Sequence, residues 1–122
     1  GKTINSFSSL PLSPPLVLFS LDIESSQLNI FKNSNTVSIN ILSKNQKNIS
    51  DNFAKKNPDW NNIDYNILKN GNPIIKNCLS NLDCKITNKI KKGDHIIFIC
   101  EVINVSINYK LKPLIYFNSR YI

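Results

Sequence analysis

Methionine is absent from this chain of 122 residues, and histidine and tryptophan each occur once. A single histidine cannot build a His-rich metal site, and no metal is expected. The three cysteines, Cys78, Cys84 and Cys100, are odd in number and show neither CxxC nor Cys/His spacing. Free thiols in a reducing cytoplasm are the simplest reading of them. No apolar run approaches the roughly 18–20 residues of a membrane span, and no signal peptide opens the chain, so a cytoplasmic protein without membrane contact is expected. No Ser-His-Asp spacing of a hydrolytic triad is present. Gly1-Lys2-Thr3 matches the tail of a phosphate-binding loop, but the glycine-rich part is missing. The INSFSSLPLSPP that follows cannot form the helix into which such a loop continues.

Acidic residues are also scarce: eight, against fifteen Lys and Arg, leaving a formal charge of +7. The lysines are scattered, apart from a cluster at Lys85, Lys89, Lys91 and Lys92. Nucleic-acid sites interleave such clusters with stacking aromatics, and this cluster has none. The expectation is a solvated basic surface that helps attract phosphorylated cofactors, not a nucleic-acid interface.

What is there reads as one domain spanning residues 1–122. A polar run, Asn5, Ser6, Ser8 and Ser9, leads to Pro14-Pro15 and a hydrophobic strand at Leu16-Val17-Leu18-Phe19. Hydroxyls, an amide and backbone N–H groups at a bend suit an anionic or heteroaromatic ligand. Ser25 and Ser26 then precede a short helix from about Ser26 to Lys32, as its N-cap or as a phosphate contact. Thr36 to Ile41 alternates strictly, with Val37, Ile39 and Ile41 on one face. Ser43 and Gln46 have capping-box spacing ahead of a helix to about Ala54 that buries Ile49 and Phe53. From Lys55 to Pro73 the chain is a polar, turn-rich excursion holding Trp60, to which no role is assigned. In the last third, Leu82, Cys84 and Ile86 alternate with polar residues. A Gly93-Asp94 turn leads into a long strand from His95 to about Asn108, on which Ile97, Ile99, Ile103, Val105 and Ile107 are expected to share a face. Strands at this spacing with two short helices argue for a barrel over a βαβ sheet.

Three stretches carry a resemblance. TINSFSSLPLSPPLVL resembles the T-x-N-S-F-x-S-x-x-x-x-P-P-L-V-L signature of the flavin reductase-like domain family. Gly93 to Val102 resembles its G-D-H-x-x-F-x-G-x-V motif, with Cys100 in place of the second glycine. Pro113 to Tyr121 resembles its closing P-L-x-Y-x-x-G-R-Y, with Ser119 in place of glycine, and the INILSKNQ…FA segment is similar as well. The resemblance implies an FMN-binding split β-barrel, mainly β with short helices, whose opening strands this sequence lacks. It implies an NAD(P)H-dependent flavin oxidoreductase passing a hydride from NADH or NADPH to FMN or FAD. A homodimer that supplies reduced flavin to a monooxygenase is implied too. A non-catalytic flavin-binding split barrel is the alternative. By the resemblance, Asn5, Ser6, Phe7, Ser8 and Ser9 contact the flavin, and Ser25 and Ser26 its phosphate. Arg120 and Tyr121 cover it, and Asp94 and His95 lie beside flavin and nicotinamide, with His95 the catalytic candidate. Phe53 becomes part of the flavin pocket wall, although its position in the helix also suits ordinary core.

Overall fold

In a computed structural model that describes residues 1–4 and 6–122, the chain is mainly β with short helices. Its elements in order are β1 (Ser8–Leu10), β2 (Leu16–Asp22), α1 (Leu28–Lys32), β3 (Thr36–Ile41), a 3-10 turn (Lys44–Gln46) and α2 (Lys47–Ala54). Then come β4 (Tyr65–Ile67), β5 (Pro73–Ile75), β6 (Ser80–Lys92), β7 (His95–Ile107), β8 (Tyr116–Phe117) and β9 (Arg120–Tyr121). Five strands pair in the order β1-β2-β7-β6-β3, all antiparallel, while β4–β5 and β8–β9 form separate hairpins. Among the described residues these sheets are open and do not close into a barrel.

The core follows from strand alternation. On β2, Val17, Phe19 and Leu21 are buried, and β7 faces them with Ile96, Phe98 and Cys100. Phe98, with no exposed surface, stacks on Phe19 at 5.0 Å between ring centroids, and Phe31 of α1 meets Phe98 edge-on at 6.4 Å. Each such aromatic contributes roughly 1.5–3 kcal/mol by leaving water. The polar run before the prolines takes a form not foreseen: Ser8 and Ser9 lie in β1, an edge strand registered as Ser8↔Leu18 and Ser9↔Val17. The excursion from Lys55 to Pro73 likewise contains β4 and reaches β5, which pairs with it.

The long hairpin is where alternation misleads. Gly93, at φ +59°, takes the first central position of a two-residue turn, so His95 pairs with Lys92. On β7, however, the register slips: Cys84 pairs with Val102 but Asp83 pairs with Asn104, leaving Ile103 as an extra residue. A bulge of this kind switches which side chains share a face. Ile97 and Ile99 therefore face away from the core, whereas Val105 and Ile107 stand across from the buried Leu82 and Ser80. The single face expected for these five residues is broken at Ile103. Val105 and Ile107 are still about half exposed, because β2 accompanies β7 only as far as Leu16↔Glu101.

Helix ends are set by local hydrogen bonds. The capping box at Ser43 and Gln46 forms, with Gln46 Oε1 accepting the Ser43 N–H at 3.0 Å. Ser25 and Ser26 do not cap α1, whose N-cap is Gln27 without a side-chain bond. Ser25 Oγ instead accepts the Gln27 N–H at 3.3 Å, and Ser26 Oγ donates to the Lys56 carbonyl at 2.7 Å.

Candidate functional site

β2 delivers the chain to the place where the hairpin turn returns. Its last residue, Asp22, lies opposite His95, and the Ile23 N–H donates to the Asp94 carbonyl at 2.9 Å. A cleft of about 410 Å³ opens here, with Lys2, Thr3, Ser6, Asp22, Ser25 and His95 among its walls. Ser6 reaches it because its hydroxyl bridges to β2, donating to the Ser20 carbonyl and accepting the Ser20 N–H, both at 3.2 Å. Ser25 is held by a tight loop in which its N–H donates to the Asp22 carbonyl at 3.0 Å. Asp22 Oδ1 accepts the Glu24 N–H at 2.8 Å, so this carboxylate stabilises the loop itself. Residues separated by some ninety positions in sequence thus meet: Ser6, Ser25 and His95.

His95 Nδ1 lies 2.7 Å from Asp94 Oδ1. That hydrogen bond and the imidazole charge hold the Asp94 carboxyl below its ordinary pKa. Asp94 is well exposed, so solvent screens the pair, and its consequence is the orientation of the ring more than stability.

A second, larger cavity of about 1150 Å³ adjoins the first, sharing Lys2, Thr3, Ile4 and Leu21 with it. Its walls are mainly apolar: β2 and β3, α1 through Phe31, α2 through Phe53, the side chain of Trp60, and the β8–β9 hairpin through Arg120 and Tyr121. Phe7 lies on it as well. Phe53, only 5% exposed, lines this cavity and belongs to a small core with Ile75 and Cys78. Trp60 packs between Phe53 and Tyr65, 4.8 Å from each ring centroid.

The candidates therefore divide by place. Ser6, Ser25 and His95 line the cleft; Phe7, Phe53, Arg120 and Tyr121 line the larger cavity. Asp94 reaches the cleft only through His95, and Ser26 is tied to Lys56. Ser8 and Ser9 sit on β1 and line neither space. Asn5 lies outside the described residues. Among the described residues, no group of three or more His, Cys, Asp or Glu side chains converges to hold a metal. Among the described residues, no helix is long and apolar enough to cross a membrane.

Sequence reasoning passed over Lys2, Thr3 and Ser50. Thr3 borders both cavities and is pinned to α2, its Oγ1 donating to the Ser50 carbonyl at 2.5 Å and its N–H to the Phe53 carbonyl at 3.0 Å. The one available signal was Thr3 opening the TINSF stretch. Lys2 stood in the Gly1-Lys2-Thr3 run, which was set aside because no glycine-rich loop precedes it and no helix follows.

Comparison with known proteins gives a consistent picture. The family model described as "Flavin reductase like domain" matches residues 1–122. The chain is 33% identical over 106 residues to FMN reductase (NADH) SmoA of Agrobacterium fabrum, covering 87% of this chain and 61% of that protein. It is 32% identical over 124 aligned positions to HsaB of Mycobacterium tuberculosis, described as the reductase subunit of a flavin-dependent monooxygenase, covering 99% of this chain and 66% of HsaB. It thus spans less than two thirds of the length of both relatives. Among solved structures, the NADH:FAD oxidoreductase SgcE6 of Streptomyces globisporus superposes with a TM-score of 0.91 at 27% identity, covering 98% of this chain and 75% of SgcE6.

Proposed function

The chain belongs to the flavin reductase-like domain family, and from that footing we propose that it is an NAD(P)H-dependent flavin oxidoreductase acting on FMN or FAD. One observation carries the reading: the cleft at the end of β2 gathers Ser6, Ser25 and His95, one from each of three separate stretches. The residues present fit such a ligand. Hydroxyl groups and the Lys2 cation stand in the cleft, and the adjoining cavity offers apolar and aromatic walls for a ring system. Asp22 and Glu24 also border the cleft, and their charge would repel a phosphate placed against them. Of the groups lining the cleft, Lys2 supplies the cation that a phosphate needs to offset those carboxylates, and Ser25 a hydroxyl.

The flavin and the nicotinamide supply the hydride chemistry between them, so the chain needs neither nucleophile nor metal. Its residues bind and orient. Ser6, fixed to the Ser20 backbone, presents a hydroxyl whose direction is already set. Asp94 engages Nδ1 of His95, which directs Nε2 to a bound molecule as hydrogen-bond donor or proton carrier. Arg120 on the β8–β9 hairpin offers a guanidinium to carbonyl or phosphate oxygens. Phe7 and Phe53 form ring-sized walls.

Further parts of the reading concern partners. Ile103, Val105 and Ile107 expose apolar surface on a stretch of β7 that β2 no longer accompanies, a surface suited to a second copy of the chain. The likeness to HsaB supports a monooxygenase as the consumer of reduced flavin. Three free, buried thiols suit the cytoplasm.

The test is anaerobic mixing of the purified chain with FMN and NADH, following the flavin band near ~450 nm. Bleaching well above the protein-free rate is expected, with at least a tenfold loss in His95→Ala, the scale of a general acid–base or orienting contribution. Bound flavin without bleaching would leave a binding module. No bound flavin would reject the reading for this chain.

A further inference from the structure

The β8–β9 hairpin carries Arg120 and Tyr121 to the rim of the larger cavity, yet little holds it there. The segment before it is anchored by backbone: Lys44 N–H donates to the Lys112 carbonyl at 2.8 Å, and Leu114 N–H to the Leu42 carbonyl at 3.1 Å. Beyond Leu114, among the described residues, two polar contacts reach the rest of the chain. Ser50 Oγ hydrogen-bonds Tyr121 Oη, and Lys47 Nζ lies 5.7 Å from the centroid of the Tyr121 ring. Both come from α2, one turn apart.

Ser50 is unusual for a serine inside a helix. Such hydroxyls commonly bond back to the carbonyl four residues earlier. Here the side chain is buried, 4% exposed, and turns outward to Tyr121. The same residue's carbonyl accepts the Thr3 hydroxyl, and Thr3 borders both the cleft and the cavity. One residue of α2 therefore ties together two of the segments that line the larger cavity. We propose that Ser50 is a positioning residue for flavin binding, a latch that holds the C-terminal hairpin and its Arg120 over the cavity through the Tyr121 hydroxyl.

The proposal rests on the flavin reductase reading, and the experiment separates the two. Hydrogen exchange of the amides of residues 115–122 would be compared in the wild type, Ser50→Ala, Tyr121→Phe and the double variant. Alanine suits a helix interior and Tyr121 is only half-buried, so neither variant should lose the fold. Each single variant should exchange about fivefold faster in the hairpin, the worth of one ordinary hydrogen bond. The double variant should be no faster than the singles, since one bond is removed in all three, and β6 and β7 should be unaffected. In steady-state reduction, KM for FMN should rise by about the same factor, with kcat falling less than KM rises. Unchanged hairpin exchange in Ser50→Ala overturns the latch. Faster exchange with an unchanged KM overturns the positioning role and leaves a structural bond. If the wild type reduces no flavin, the enzymatic reading falls with the KM arm, and the exchange comparison alone upholds or overturns the latch.

Discussion

Ser119 sits at φ +61°, beside Asn118 at φ +51°, and the pair closes the β8–β9 hairpin with Tyr116↔Tyr121 and Phe117↔Arg120 as its rungs. Two consecutive positive φ values are those of a type I′ turn, for which Asn-Gly is the favoured sequence. Asparagine tolerates this conformation; serine carries the Cβ clash with the following carbonyl, about 1–2 kcal/mol. Replacing Ser119 by glycine removes that cost but frees the unfolded chain, which returns about 0.5–1 kcal/mol. The net expectation for Ser119→Gly is a hairpin more stable by about 0.5–1 kcal/mol, or roughly two- to fivefold slower local opening. The readout is the exchange rate of the Ile122 N–H, which donates to the Ile115 carbonyl at 3.0 Å. Ser119→Ala is the control, since alanine keeps the Cβ and should give no slowing. Equal slowing in the two variants, or faster exchange in Ser119→Gly, would refute the argument from backbone conformation.

Three other expectations can be measured directly. Burial raises the thiols of Cys78 and Cys100 to about 11 and that of Cys84 to about 12, with the nearby Cys100 and Asp83 adding to the rise at Cys84. An unfolded thiol at 9.0 loses its proton first, so the folded state binds more protons and stability should fall as pH rises from 9 toward 12; a disulfide reagent at pH 8 should label none of the three rapidly until urea is added. Phe98→Ala should cost about 3–5 kcal/mol in urea unfolding, since the side chain is fully enclosed against Phe19 and Phe31; a loss below about 1 kcal/mol would mean the stack is not packed as described. If the exposed stretch of β7 seats a second copy as proposed, Val105→Lys should leave only monomer in light scattering at unchanged secondary structure, and a wild type that is itself monomeric, or a dimer that survives the substitution, would refute that placement.

Much of the fold was legible because alternation and turn chemistry agreed locally. β3 and the first half of β6 read directly, as did the Gly93-Asp94 turn and the Ser43–Gln46 capping box. The failures have one physical origin, which is that pairing partners are not local. Ser8 and Ser9 have the composition of a loop and become a strand because Val17 and Leu18 offer them an edge. Ile103 looks like one more step in an isoleucine-valine alternation, but the slip between Asp83 and Cys84 makes it a bulge. Ser25 and Ser26 stand where a helix begins and would cap it in isolation. The Asp22 loop and the Lys56 carbonyl give their hydroxyls and backbone other work.

The site was legible to a different degree, because motif and geometry carry different information. The resemblance and the serine pair ahead of α1 identified which residue types to look for, and the fold brought Ser6, Ser25 and His95 into one cleft. What a motif cannot express is how a side chain is held. Asp94 and His95 are adjacent in sequence, so their hydrogen bond was within reach of sequence reasoning. Ser50 and Tyr121 are 71 positions apart, and Thr3 and Ser50 are 47 apart. Nothing in helical periodicity marks a buried serine as a hub between two chain segments that far apart. Its position on α2 is set by burying Ile49 and Phe53, and its partners are set by where TINSF and the closing hairpin cross that helix. Local pattern can therefore nominate residues for a flavin site, as it did Ser6, Ser25 and His95, but it also nominated Ser8 and Ser9, which line neither cavity. The residues that tie the opening stretch to the closing hairpin emerge only when both are folded onto α2.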